Sequence, residues 1–170
     1  MPTSLTGQTV ASTYGQVLHL DGGVTGSLKT VYDGDGTASA LQISSAGFRV
    51  TGTGEITGLH TFGAGVREKR VVLASPSNID VSAGSVFTYT VSGATTFTLL
   101  AGSVPSAGTV ASFIMDLTNG GSAVITWWSG VKWAGGAQPT LTTSGRDVLG
   151  FFTHDGGTIW TGLLLGRDVK

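Results

Sequence analysis

The sequence contains no cysteine, which excludes disulfide bonds and metal sites built on thiolates. A small domain without such cross-links must be stabilised by an apolar core or by partner chains. Charge is also scarce, because only 11% of the residues are charged and the formal net charge is −1. Nucleic-acid-binding proteins normally carry a strong basic excess, so we expect no nucleic-acid partner.

Long apolar runs and helix-forming residues are both scarce. No uncharged apolar stretch approaches the roughly 18 residues of a membrane-spanning helix, and the first residues show no signal-peptide pattern. We therefore expect no membrane insertion and synthesis in a cytoplasm. Glutamate occurs twice, whereas valine and threonine together supply 42 residues. Because β-branched residues favour strands, the chain is predicted to be all-β.

Large apolar residues divide the chain unequally, with 19 in residues 1–70 and 35 in residues 71–170. The first part holds only short apolar bursts, which are too small to enclose a core within one chain. We predict an extended N-terminal segment over residues 1–70, ordered by copies of itself or by a neighbouring protein, and a β domain over residues 71–170. The charge run Arg67-Glu68-Lys69-Arg70 marks the boundary as a solvated linker or, alternatively, a docking patch for an acidic partner.

The second part alternates between apolar and polar residues, which is typical of strands with one buried face. Phe87, Tyr89 and Val91 share one face, and residues 111–117 repeat the pattern. Asn119-Gly120 predicts a hairpin between residues 110–117 and 123–128. A second hairpin is predicted at the turn 154–157. About seven short strands at this spacing predict a β-sandwich or jelly-roll-like domain.

One short motif is repeated near the end of the chain. Gly145-Arg146-Asp147-Val148 recurs as Gly166-Arg167-Asp168-Val169. Two copies do not make a solenoid, which needs at least about three units. We interpret them as the entry and exit of the last hairpin, with Arg–Asp pairs at its base.

The sequence shows no recognisable set of catalytic residues. His19, His60 and His154 are far apart and lie in no metal-binding pattern. Asp33-Gly34-Asp35-Gly36 begins like a calcium loop, but the following residues supply no further carboxylate, so a tight turn is predicted. We expect no enzyme activity, no metal and no cofactor, and a small glycan-active enzyme is the remaining alternative.

Three of the four tryptophans, Trp127, Trp128 and Trp133, fall within seven residues. Adjacent residues on a strand face opposite ways, so Trp127 and Trp128 are not expected to enter the same core. One of them should lie at a surface, where it would pack in a subunit interface or stack on a sugar. Both alternatives stay open from the residues.

The C-terminal runs 131–142 (VKWAGGAQPTLT), 145–153 (GRDVLGFFT) and 155–160 (DGGTIW) resemble the C-terminal domains of tailed-bacteriophage fibres and other virion structural proteins. Upstream, residues 12–16 (STYGQ) and 34–41 (GDGTASAL) resemble the attachment and stem segments of such fibres. The resemblance implies a homotrimer that is made in the host bacterial cytoplasm and incorporated into the virion. It implies capsid, portal, collar or tail proteins as partners.

The chain departs from this family in being short, because about seventy residues span only a short stalk. A head fibre decorating the capsid, a collar or a tail-side adaptor is therefore favoured, and a receptor- or glycan-binding tail fibre that uses exposed tryptophans is the alternative. We predict that attachment resides in the first thirty residues, through strand addition and apolar contacts. The candidate attachment residues are Leu5, Val10, Tyr14, Val17, Leu18 and Leu20.

Overall fold

The computed structural model describes residues 18–33, 35–51, 59 and 61–170. The chain divides into two compact units, residues 1–63 (the N-terminal unit) and residues 64–170 (the C-terminal unit). Regular structure in the described residues consists of eleven strands and two 3₁₀ turns of three residues each. The all-β prediction is confirmed. No helix among the described residues is long and apolar enough to cross a membrane.

The N-terminal unit contains an antiparallel sheet in the order β1-β2-β3. Its strands are β1 (Lys29–Tyr32), β2 (Ala38–Ser44) and β3 (Gly47–Val50). Between β1 and β2, the Asp33 carboxylate accepts hydrogen bonds from the backbone N–H groups of Asp35 (3.1 Å) and Thr37 (2.7 Å). Aspartate favours turns because its short side chain can bond to the backbone a few residues further on. The predicted tight turn is confirmed.

The C-terminal unit contains a six-stranded mixed sheet in the order β4-β5-β7-β10-β11-β9 and a two-stranded parallel sheet formed by β6 and β8. In the larger sheet, β7–β10 and β10–β11 are antiparallel and the other three pairings are parallel. The strands are β4 (Arg70–Val72), β5 (Val86–Thr90), β6 (Thr95–Thr96), β7 (Ala111–Thr118), β8 (Ile125–Thr126), β9 (Val131–Trp133), β10 (Arg146–Thr153) and β11 (Trp160–Gly166).

One apolar core lies within the C-terminal unit and draws residues from both of its sheets. Phe87 of β5 and Met115 and Leu117 of β7 are fully buried, as is Phe97, which directly follows β6. Each such side chain contributes about 1.5–3 kcal/mol through the water it no longer contacts. The alternation predicted for residues 87–91 and 111–117 is confirmed.

The structure confirms one of the two predicted hairpins and contradicts the other. β10 and β11 pair antiparallel around residues 154–157, as predicted. The hairpin at Asn119 is wrong, although Asn119 does adopt the left-handed conformation, with φ of 58°. The backbone N–H groups of Asn119 and Gly121 bond to the carbonyls of Gly145 (2.7 Å) and Thr142 (2.9 Å). Since the turn is held by this distant segment, the chain continues into the second sheet, where β8 pairs with β6.

The two copies of the repeated motif meet at the base of the β10–β11 hairpin. The N–H of Asp168 donates to the Asp147 carboxylate (3.0 Å), and the N–H of Val169 donates to the Arg146 carbonyl (2.8 Å). Arg–Asp pairs are predicted at this base, but among the described residues neither motif arginine pairs with a motif aspartate. Arg146 pairs with Asp116 of the adjacent strand β7 (3.3 Å), and Asp168 pairs with Lys170 (3.1 Å).

Candidate functional site

Of the candidate attachment residues, Leu18 and Leu20 lie within the described part of the chain. They line the same concave surface of the N-terminal unit, which we call the apolar groove, with a volume of about 350 Å³. Leu5, Val10, Tyr14 and Val17 lie outside the described residues. The large apolar residues that line the groove are Leu18, Leu20, Val24, Val31, Leu41 and Ile43.

Backbone pairing places the first of these residues beside β1. His19 and Tyr32 exchange two backbone hydrogen bonds, of 2.9 and 3.0 Å, which form an antiparallel bridge. Leu18 and Leu20 flank His19, so both line the groove formed with Val31 of β1. The other groove residues come from β2 and from the turn after Leu20. Sequence reasoning missed these contributions, although the alternation of Leu41 and Ile43 along β2 is a visible signal.

The groove is open, and part of its apolar surface faces solvent. Leu18 is 71% exposed and Val24 is 60% exposed, whereas Val31 is 6% exposed. Val31 is the sole buried large apolar side chain among the described residues of the N-terminal unit. Contiguous exposed apolar surface usually marks an interaction site, because covering it removes about 25 cal/mol per Å² of unfavourable contact with water.

One polar side chain, that of His19, contributes to the lining of this groove. The Nε2 atom of His19 is 3.5 Å from the Asp21 carboxylate. The Lys29 ammonium group donates to the Asp21 carbonyl at 2.6 Å. The remaining lining side chains are uncharged, so this surface suits an apolar partner segment better than a charged one.

The three clustered tryptophans pack together within the C-terminal unit. Trp128 is 8% exposed and belongs to the core, and Trp127 and Trp133 are partly buried against it. The Phe151 ring contacts all three, with centroid distances of 5.3 Å to Trp127, 4.8 Å to Trp128 and 5.5 Å to Trp133. A sugar-stacking residue needs an open ring face, and Trp128 is too buried to supply one.

Trp127 and Trp128 differ in burial, because Trp128 belongs to the buried core and Trp127 is partly buried against it, but both join one aromatic cluster. β8 ends at Thr126, so the strand alternation no longer applies to the two residues that follow it. Their rings contact edge to face, with centroids 5.8 Å apart and planes at 82°. This geometry is favourable for aromatic pairs, because a positive ring edge meets a negative ring face.

Two half-buried carboxyl groups have a lowered pKa. The pKa of Asp33 is lowered mainly by the hydrogen bond from the Thr37 backbone, and that of Asp155 mainly by the bond from the Ile159 backbone. Both bonds stabilise the ionised form and belong to turns. Among the described residues, no group of three His, Cys, Asp or Glu side chains is placed to hold a metal ion.

Comparison with known proteins found no matching family model, no matching curated protein and no matching solved structure.

Proposed function

We propose that this chain is a non-enzymatic structural protein of a tailed-bacteriophage virion. In this role it is a short fibre or appendage, such as a head fibre, a collar or a tail-side component. The N-terminal unit attaches to the particle, and the C-terminal unit projects outward as a β-sandwich-like domain. The observation that carries this proposal is the open apolar groove of the N-terminal unit, which contains Leu18 and Leu20.

The contrast between the two units supports this division of roles. The C-terminal unit has a complete core of its own, in which residues such as Phe87, Met115 and Trp160 are fully buried. The described N-terminal sheet has three short strands and one buried large apolar side chain. Sheets of that size need a further apolar surface to pack against for stability, and a partner protein would supply that surface.

The composition of the apolar groove determines how attachment should respond to salt. Ionic strength screens exposed charges, whereas contacts between apolar side chains are affected little by moderate salt. Because the groove side chains apart from His19 are uncharged, we expect attachment to persist at moderate salt. Release by salt alone would point instead to the charge run of residues 67–70.

Particles that lack the protein provide the test. Full-length protein, Leu18→Asp and Leu41→Asp are added to such particles, and the bound protein is measured after sedimentation at low and high salt. We expect both variants and a form lacking residues 1–24 to bind poorly, because a carboxylate in the groove must be desolvated. Val124→Asp, at an exposed site in the C-terminal unit, is the matched control and should bind normally. Normal binding by both groove variants would contradict the proposal.

The homotrimer implied by the resemblance is part of the same proposal. Light scattering on the isolated full-length protein should give three times the 17.2 kDa chain mass. Three copies side by side would also allow each N-terminal sheet to cover apolar surface of another. A monomer at all accessible concentrations would contradict this part of the proposal.

A further inference from the structure

A second concave surface lies on the six-stranded sheet of the C-terminal unit, on the face opposite the core. This polar groove has a volume of about 450 Å³, within the usual range of ligand sites. We propose that it binds an acidic saccharide, meaning a sugar chain that carries carboxylate or phosphate groups. Its polar lining residues are Arg70, Thr88, Thr90, Asp116, Thr118 and Arg146.

The strand register brings these side chains together. Thr88 of β5 lies opposite Asp116 of β7, and Thr118 of β7 lies opposite both Thr90 of β5 and Arg146 of β10. Side chains alternate along a strand, so while Met115 and Leu117 enter the core, Asp116 and Thr118 stand on the other face. The sheet thus places a patch of hydroxyl and charged groups on one surface.

The two arginines give the groove a positive balance. Nε of Arg146 is 3.3 Å from the Asp116 carboxylate, which orients the guanidinium group and leaves its two terminal nitrogens for a ligand. The Arg146 side chain is 50% exposed, and Arg70 forms no ion pair with the described residues. Guanidinium groups bind carboxylate and phosphate through two parallel hydrogen bonds, so the groove suits an anion.

The spacing of the arginines favours an extended ligand. Arg70 on β4 and Arg146 on β10 are three strand positions apart across the sheet and, by the pairing register, four residues apart along the strands, so their backbones are separated by roughly 20 Å. Three threonine hydroxyls lie between them, and none makes a side-chain hydrogen bond with the described residues. Hydroxyl groups pair well with the hydroxyls of a sugar chain. A saccharide with anionic groups along its length can therefore contact both arginines and the threonines.

The aromatic residue at this groove argues against a nucleic-acid ligand. Tyr89 lines the groove, but its ring packs edge to face against Phe97, with centroids 5.5 Å apart. Proteins that hold single-stranded nucleic acid usually stack bases on free aromatic faces, and this ring is already engaged. The hydroxyl-rich lining favours a saccharide.

Calorimetric titration of the full-length protein tests the proposal. The probes are a galacturonate trisaccharide, the same trisaccharide with its carboxyl groups reduced, and a phosphorylated neutral trisaccharide. We expect binding of at least one charged probe and no binding of the reduced one. Whichever charged probe binds then shows whether the groove prefers carboxylate or phosphate groups.

Variants then locate the site. Arg70→Gln and Arg146→Gln should each weaken binding of the charged probe about tenfold or more, because each removes a charge-assisted pair of hydrogen bonds. Arg167→Gln is the matched control, since Arg167 occupies the same place in the second copy of the repeated motif and lies outside the groove. Its affinity should equal that of the unmodified protein. Arg70→Gln leaves the Arg146–Asp116 pair intact, so it tests the site even if Arg146→Gln perturbs folding.

Absence of binding to both charged probes would overturn the proposal. Binding of the charged probe by both groove variants with the affinity of the unmodified protein would also overturn it, as would binding of the reduced trisaccharide with the affinity of the charged one. The measurement needs no virus particles. Its result is therefore independent of attachment, and failure of one proposal does not imply failure of the other.

Discussion

Asp147 joins separate segments of the C-terminal unit through a fully buried carboxylate. It accepts hydrogen bonds from the backbone N–H of Thr142 (2.6 Å), the hydroxyl of Thr142 (2.7 Å) and the backbone N–H of Asp168 (3.0 Å). A buried charge is tolerated when donors surround it in this way, and it is costly to disturb. The repeated motif contains two aspartates at equivalent places, and the structure buries the first of them.

We predict that Asp147→Asn lowers the free energy of unfolding by about 2 kcal/mol, because an amide cannot accept all three bonds. Asp168→Asn is the matched control from the second motif copy. It loses a pair with exposed Lys170 and should change stability by less than about 1 kcal/mol. Chemical denaturation followed by tryptophan fluorescence measures both variants. Equal losses would contradict the assigned role of Asp147.

Asp155 makes stability depend on pH in the turn between β10 and β11. Its carboxylate accepts bonds from the Thr153 hydroxyl (2.9 Å) and the Ile159 N–H (3.0 Å), and the latter is the main cause of its lowered pKa. A lowered pKa in the folded state means that the stabilisation is present above the unfolded pKa, about 3.9. It is lost as the pH falls through the folded value.

We therefore predict that the melting temperature falls as the pH drops below about 4 and that Asp155→Asn makes this fall shallower. Asp35→Asn, at an exposed position, serves as the control and should keep the steeper dependence for the C-terminal unit. Thermal unfolding monitored by circular dichroism at a series of pH values gives both slopes. An unchanged slope in Asp155→Asn would argue against this assignment.

At the scale of elements, β10 is an inner strand of the six-stranded sheet and pairs with β7 and β11. Its residues alternate along the whole strand, with Asp147, Leu149, Phe151 and Thr153 buried. Phe151 lies under the tryptophan cluster and also stacks on Phe113, with ring centroids 5.2 Å apart. The neighbouring Phe152 faces the other way and is exposed.

This adjacent pair of phenylalanines gives a direct comparison of the two faces. Phe151→Ala should lower the free energy of unfolding by about 4 kcal/mol and weaken the near-ultraviolet circular dichroism of the tryptophans, because it leaves a cavity beneath them. Phe152→Ala should cost less than about 1 kcal/mol and leave the spectrum unchanged. Similar losses in the two variants would show that the faces are assigned wrongly.

At the scale of the whole molecule, the two units differ in how completely they bury their apolar residues. The residues of the main core all lie between Ile79 and Trp160, within the C-terminal unit. Val31 is the single buried large apolar side chain among the described residues of the N-terminal unit. The C-terminal unit therefore holds its stabilising contacts within itself.

We predict that a fragment of residues 64–170 folds and unfolds at the same temperature as the main transition of the full chain. Such a fragment retains all of β4, whose first residue is Arg70. Calorimetry of the two proteins is the measurement. A fragment of residues 1–63 should show no cooperative transition, because its described residues bury a single large apolar side chain. A fragment 64–170 that is unfolded would contradict the expectation.

Much of the fold could be predicted where neighbouring residues carry the signal. The alternation of Phe87, Tyr89 and Val91 indicates a buried strand face, and the aspartate and glycine residues of the 33–36 turn indicate a reversal. Part of the apolar groove could be predicted, because the weak alternation around Leu18 and Leu20 is visible along the chain. Their grouping with Val31 and Ile43 depends on pairing with β1 and β2, and local patterns do not specify that pairing.

The amino-acid order specifies a protein built from strands. It also specifies which side chains of β5 and β7 turn inward, because strand periodicity depends only on adjacent residues. The tertiary structure alone decided that β7 lies between β5 and β10, that Trp127 and Trp128 share one aromatic cluster, and that Arg70 and Arg146 line one groove. These outcomes depend on which distant segments satisfy each strand's backbone hydrogen bonds. That choice is made by the packing of the whole unit, because many pairings satisfy the same local pattern.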